Sequence, residues 1–422
     1  MRYPDLHADI ASLAEIGRDP KGGNTRRAYS AADFEARYWL VGRLEAAGLS
    51  ARIDAAGNVI GRLDANIERN VVGGGPRTLA VGSHIDTVPN GGTLDGALGV
   101  LAGLAVAQRL VVDGGQRHLA YEILAFCDEE GCFSPYVGSR AMLGTLDLTR
   151  VPRMRDAQGN TLADAMRSAG LTADRLGDAA RRPEEFAAYL ELHIEQGPIL
   201  ERECMQIGIV TGIVGQVRLS VKFHGRPDHA GTTPMNCRRD AFAAAASFAT
   251  DLRRVVVESG GGAVMTIGIV EVQPGAGNVV PDFVRLGLEI RDIDGGRLAR
   301  LAARAEREAA AAGACHDVRI EMRRIYEAAP VPLHENVRRI ILEEAESLGF
   351  SRMELPSGAG HDAQIMAASV PSGMVFIPSK GGRSHCPEEE TDWVDVENGV
   401  DVLYGAVLRL LNPQLIETDG ST

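Results

Sequence analysis

The sequence is short of paired cysteines, of excess positive charge and of long apolar runs, and each shortage removes a class of function. Its six cysteines, Cys127, Cys132, Cys204, Cys237, Cys315 and Cys386, are scattered and form no CxxC pair, which argues for reduced thiols over a disulfide frame or a thiolate zinc site. Any metal must then be held by histidine and carboxylate. Against 44 Lys and Arg stand 57 Asp and Glu, a formal net charge of −13, the wrong sign for a nucleic-acid surface or a basic membrane anchor. A small molecule is the expected partner. No window approaches the roughly 18 uninterrupted apolar residues of a membrane span, and the opening MRYPDLHADIASLAEIG has no basic segment followed by an apolar core. The expected compartment is the cytoplasm. Two nucleotide and hydrolase signatures are missing as well: GGRSHC is no GxSxG elbow, and VVGGGP precedes a strand where a GxGxxG turn would join strand to helix.

What is present describes a globular chain with two cores. With 422 residues, 45% of them hydrophobic, the chain exceeds one ordinary domain. The stretch from Phe34 to Leu49 carries apolar residues at helical steps and closes on Gly48. Short apolar runs follow, NVIGRL, TLAVGSH and LAYEILAFCDEE, separated by glycine-rich turns and by an Ala- and Leu-rich helix after Asp95. That alternation predicts an α/β domain with a mixed, mostly parallel sheet flanked by helices, whose ligands gather at the carboxyl ends of the strands.

From about Gly212 the pattern changes. A strand leading into GRPDHAGTTPM, a helix over Arg238 to Glu258, strands in AVMTIGIVEVQPG and PDFVRLGLEIRDID, a helix over Arg297 to Ala312 and a strand in DVRIEMRRIY give βαββαβ, the ferredoxin-like plan. After Pro330 the first pattern returns, with a helix over Glu335 to Leu348, the turn PSGAGHDA, a strand at Met374 to Ile377 and a final helix. The expected organisation is one domain over 1–211 and 330–422, interrupted by an inserted α+β domain over 212–329.

The chemistry-bearing residues fall at predicted strand ends. His84 closes one strand, Asp95 opens a helix, and Glu129 and Glu130 follow a run too apolar for a solvated edge. His193 in YLELHIEQG and His385 in PSKGGRSHCPEEE occupy similar settings. Imidazoles with several carboxylates suit Zn, Mn or Co. Side chains adjacent in an extended segment point opposite ways, so one of the two glutamates is expected at a metal and the other toward substrate. Asp86, two residues beyond His84, is expected to accept the proton of the other imidazole nitrogen.

GSHIDTVPNGGTLDGALGV, DEEG, LHIEQG, HAGTTPM, PGAGNVVP, PSGAGHDA and SHCPEEE resemble, in that order and over nearly the whole chain, the M20-type metallohydrolases of the hydantoinase/carbamoylase group. That group contains N-carbamoyl-L-amino-acid hydrolases, allantoate amidohydrolases and β-ureidopropionases. The resemblance implies two divalent ions per subunit, one held by His84, Asp95 and His193 and the other by Asp95, Glu130 and His385, with Glu129 as general base. It also implies that Arg218, Asn278 and Arg291 line the substrate's carboxylate end. His229 would reach the developing oxyanion from the partner subunit of a homodimer formed through the inserted lid domain. Gln196, Gly360 and His361 would border the pocket. The implied reaction is hydrolysis of the linear C–N bond of an N-carbamoyl amino acid to amino acid, CO2 and ammonia, with allantoate or a β-ureido acid as alternative substrates. A non-catalytic binding protein on the same fold is the rival class; the presence of Glu129 and every ligand favours an enzyme. The chain departs from the group after DEEG, where CFSPYVGSRAMLG puts Cys132 and Phe133 in place of a longer segment with an Arg, so the pocket rim is its own.

Overall fold

Residues 2–66 and 77–411 are described in the structure, a computed structural model; the VVGGGP run lies outside them. The chain divides into two compact units, Met1–Thr211 with Pro332–Thr422, and Gly212–Val331. The second boundary falls at 331, against the expected 329.

In the first unit the strands are β1 (Ser50–Ile53), β2 (Val59–Leu63), β3 (Thr78–His84), β4 (Ala120–Phe126), β5 (Phe186–Ile194) and β6 (Ile207–Ile213). In the second they are β7 (Gly215–His224), β8 (Val264–Gln273), β9 (Phe283–Asp292) and β10 (Arg319–Ala328). A short β11 (Val331–Pro332), β12 (Arg352–Ser357) and β13 (Ser372–Ile377) return to the first sheet. That sheet has nine strands in the order β1-β2-β4-β3-β5-β13-β6-β11, with β12 on β6. Its centre, β4-β3-β5-β13, is parallel, and the pairings β1-β2, β2-β4 and β13-β6 beside it are antiparallel. Every residue of β3, β4, β5 and β13 is buried, as helices on both faces of a parallel sheet require. The helices Ala97–Asp113 and Trp393–Leu410 contribute Leu98, Leu101, Leu104, Val400, Leu403 and Val407 to this core.

The first long helix runs Ala31–Ala46, three residues ahead of its expected start. Ser30 explains the shift, because its hydroxyl accepts from the Asp33 N–H at 3.2 Å and caps the helix there. A satellite core gathers Tyr29, Phe34 and Cys127 with Val137, Leu162, Met166 and Leu176 from short helices beyond β4.

The second unit is an antiparallel sheet in the order β10-β7-β9-β8, with the helices Ala241–Ser259 and Gly295–His316 in βαββαβ sequence. Val217, Leu219, Val221, Phe223, Val284, Leu286, Leu288 and Ile290 are buried with residues of the two helices, while the alternate positions of β7 and β9 form the other face. Asp240 and Asp294 cap the helices, which moves the first helix start from the expected 238 to 241 and the second from 297 to 295.

Candidate metal centre and active site

Parallel strands place their carboxyl ends side by side, and the site is built from four such ends. His84 is the last residue of β3, His193 the last but one of β5, Glu129 and Glu130 follow β4, and His385 lies in the loop after β13. Asp95 precedes the Ala97–Asp113 helix and sits between two groups of donors. Its Oδ1 is 3.2 Å from His193 Nε2 and 3.9 Å from His84 Nε2, and its Oδ2 is 3.1 Å from His385 Nε2. Glu130 Oε1 completes the second group, 3.6 Å from His385 Nε2. His84, Asp95 and His193 form one set of convergent ligand atoms, and Asp95, Glu130 and His385 another.

The imidazoles are held by main-chain carbonyls. His84 Nδ1 faces the Asp86 carbonyl at 2.9 Å and His193 Nδ1 the Ile194 carbonyl at 2.8 Å, so each ring keeps its proton on Nδ1 and turns the Nε2 lone pair into the site. The expectation for Asp86 is corrected here: its carbonyl takes the His84 proton, whereas its carboxylate lies 4.0 Å from that nitrogen and accepts from the Glu130 N–H at 3.3 Å. The glutamate expectation also changes. Asp128 adopts a φ of 57°, so the chain leaves the extended form after β4, and Glu129 and Glu130 converge with His84 on one centre. Glu129 Oε2 stands 3.7 Å from His84 Nε2.

Asp86, Asp95, Glu129 and Glu130 crowd four carboxylates against three imidazoles, a buried excess of negative charge that is costly without cations. Burial first, and then Asp95, pushes the Glu130 carboxyl up to about 7, and burial drives Glu129 well above its usual range. The bond to Asp95 raises His385 to about 9. Glu130 Oε1 is buried with no hydrogen-bond partner among the described residues. This donor set fits divalent ions.

Gly96 lets the rings come close. A Cβ there would lie 2.4 Å from His84 Nε2, at a φ of 64°, and its N–H reaches His193 Nε2 at 3.2 Å. Glu389 fixes Asp95 from behind: its Oε1 accepts from the Leu94 and Asp95 N–H groups at 2.9 and 3.0 Å. Gln196, expected at the pocket, donates to Asp95 Oδ1 at 3.1 Å. Gly360 admits the Tyr136 hydroxyl, 1.8 Å from where a Cβ would stand. His361 packs edge-on against His193 at 4.5 Å and contacts the Ser357 hydroxyl at 2.9 Å.

Several supporting residues escaped the sequence reading. Glu191 accepts from the hydroxyls of Ser83 and Tyr189 and from the Ala363 N–H; its place two residues before His193, on the same strand face, was the available signal. Asp362 accepts from Ser139 at 2.6 Å. Beneath the site lies a fully buried pair, Arg37 Nε and Asp33 Oδ1, 2.9 Å apart as an ion pair off hydrogen-bond alignment. Arg37 also donates to the carbonyls of Gly57, Ala125 and Phe126, holding the end of β4, and its Nη2 is 3.9 Å from Asp86. Arg37→Met strands the Asp33 charge, so it is expected to cost about 3–5 kcal/mol in denaturant unfolding. Asp33→Leu added to it should restore part of that. An unchanged midpoint for the single variant would remove Arg37 from this role.

The remaining expected residues lie in the second unit. His229 Nδ1 accepts from the N–H groups of Gly231 and Thr232 at 3.0 and 3.3 Å, which leaves its proton on Nε2. A bridge pairs His229 with Val279, and the Asn278 carbonyl accepts from the Ala230 N–H at 3.0 Å, so His229 and Asn278 share one corner. Arg218 and Arg291 meet elsewhere, at Glu289.

The model of peptidase family M20/M25/M40 matches residues 80–409. An N-carbamoyl-L-amino acid amidohydrolase of Geobacillus stearothermophilus is 40% identical over 408 residues, 95% of this chain and 97% of that protein. An allantoate amidohydrolase of Escherichia coli is 37% identical, over 93% of this chain and 94% of its own. Among solved structures, an amidase of the hydantoinase/carbamoylase family from Burkholderia multivorans superposes with a TM-score of 0.89 at 32% identity, covering 96% and 97% of the two chains.

Proposed function

Because this chain belongs to the M20/M25/M40 peptidase family, we propose that it is a metal-dependent amidohydrolase that cleaves the ureido C–N bond of an N-carbamoyl amino acid, releasing amino acid, CO2 and ammonia. The observation that carries this reading is Asp95, whose two oxygens face separate sets of ligands with Glu129 beside them. His84, Asp95 and His193 would hold one divalent ion, and Asp95, Glu130 and His385 the other. Such a pair of ions supplies Lewis acidity that polarises the scissile carbonyl and acidifies the attacking water. Zn, Mn and Co all suit the donors.

Glu129 takes the water proton and returns it to the departing nitrogen, the two halves of general base and general acid work. Its burial fits a carboxyl that carries a proton between the steps. His229, with its proton on Nε2, is suited to donate to the developing oxyanion. Arg218 and Arg291, which meet at Glu289, bind the substrate carboxylate, for which guanidinium geometry is matched, and Asn278 contacts the substrate from the His229 corner. Gln196 and Gly360 border the substrate, Gln196 while bracing Asp95 and Gly360 while leaving room for the Tyr136 hydroxyl.

The inserted unit acts as the lid and dimerisation domain. Support comes from β8, an edge strand with Val264, Ile269, Val270 and Val272 exposed, a surface suited to a second copy of this chain. All six cysteines are unpaired, consistent with the cytoplasm as the proposed compartment. Among the described residues no helix is long and apolar enough to cross a membrane.

The test is ammonia release by protein reconstituted with Mn, Co or Zn, offered N-carbamoyl-L-amino acids, allantoate, N-carbamoyl-β-alanine and N-acetyl amino acids. Turnover of an N-carbamoyl-L-amino acid, abolished by chelator and restored by metal, is the expected result. Preference for allantoate would move the assignment to its nearest alternative. Silence on every ureido compound with metal bound would overturn the reading.

A further inference from the structure

On the sheet face of the second unit that its helices leave uncovered, one carboxylate stands between two guanidinium groups. Arg218 on β7 is directly opposite Glu289 on β9, and Arg291, two residues beyond Glu289, shares its face. Glu289 Oε2 accepts from Arg218 Nε at 2.8 Å, and Oε1 from Arg291 Nε at 2.5 Å. Glu289 is the least exposed of the three side chains, at 24% against 53% for Arg218 and 30% for Arg291. Burial acts to raise its carboxyl, but bonds to Arg291 and then Arg218 hold it below the ordinary glutamate range. It is a negative charge set between the two positive ones.

Glu289 occupies the Nε edges of both guanidinium groups and so sets a negative charge beside any anion they bind. We propose that Glu289 is a specificity-determining and positioning residue that restricts this enzyme to ureido substrates with a single carboxylate. It holds both guanidinium groups by their Nε atoms and repels a second negative charge on the substrate. Specificity of this kind depends on the repulsive element as much as on the attractive one. The inference rests on the assignment of Arg218 and Arg291 to the substrate carboxylate.

The experiment compares N-carbamoyl-L-methionine with N-carbamoyl-L-aspartate, as substrates or as competitive inhibitors of the ureido compound the enzyme prefers. In Glu289→Gln, which keeps the size of the side chain, the aspartate-to-methionine ratio of kcat/KM, or of inhibitor affinity, should rise at least about fivefold, the size of one charge contact near water. The change should sit in KM and shrink at about 0.5 M salt, where screening is strong. Glu289→Asp should keep the wild-type ratio. A Glu289→Gln enzyme that loses both compounds equally, or changes neither, overturns the proposal and leaves Glu289 a structural brace. Arg218→Ala and Arg291→Ala separate the two levels: if both leave the KM or affinity for the methionine compound unchanged, the carboxylate assignment itself fails and this inference with it.

Discussion

Glu129→Gln is expected to retain its metal and lose about 10²–10⁴-fold in kcat, the usual worth of a positioned general base. The variant keeps the shape of the side chain and removes its ability to take a proton. KM should move little, because the role proposed for Glu129, which stands 3.7 Å from His84, is proton transfer and not substrate or metal binding. Metal content measured with the rate decides the matter. Full metal with a near-normal rate would transfer the base role to another group, and lost metal would make Glu129 a ligand. The His84, Glu129 and Glu130 atoms lie close enough together for that second outcome to be a real alternative.

Asp95→Asn is expected to act on both ions at once. One oxygen of Asp95 faces His193 and His84, and the other faces His385. An amide keeps one acceptor and discards the charge that two cations would share. Changing a residue that merely supports a ligand costs about 10–100-fold in metal affinity or activity; loss of the shared ligand should exceed that at both positions. After dialysis, Asp95→Asn should hold far less metal than a His385→Ala enzyme, which keeps the His84, Asp95 and His193 set. Equal metal contents for the two variants would show that Asp95 serves one ion only. The fold should survive, since Glu389 grips the main chain at Asp95 and not the carboxylate.

The parts of this structure that could be read in advance are those whose signal is local. The mostly apolar runs that became β3 and β4 announce buried parallel strands, and the histidines and carboxylates at such strand ends need only parallel alignment to meet. Element edges were misjudged where a single cap decides, as Ser30 and Asp240 do. The stretch from Cys132 to Glu185 received no secondary-structure reading because its helices, Val137–Met142 and Leu162–Ser168, are too short for periodicity and take their partners from Tyr29 and Phe34. Asp33 and Arg37, four apart on a helix, have the spacing of an ordinary surface pair. Only the packing of that helix against β1 and β2, with Arg37 reaching the end of β4, makes them a buried brace. Asp86 erred through the backbone: sequence locates a carboxylate, and the chain direction after His84 decided that the carbonyl would arrive first.

The strand order also constrains how the protein is made. β13 lies between β5 and β6, and the whole second unit is encoded between β6 and β13. A growing chain that has just passed Thr211 therefore holds two strands whose intervening partner does not yet exist. At about 5–20 residues per second, the ribosome needs on the order of ten seconds to deliver Ser372–Ile377. During that interval the edges of β5 and β6 that will receive β13 are open, and open edges invite pairing with other chains. His385, carried on the loop after β13, is the last of the clustered imidazoles and carboxylates to be synthesised, so that cluster cannot be complete before β13 is available to fill the gap in the sheet.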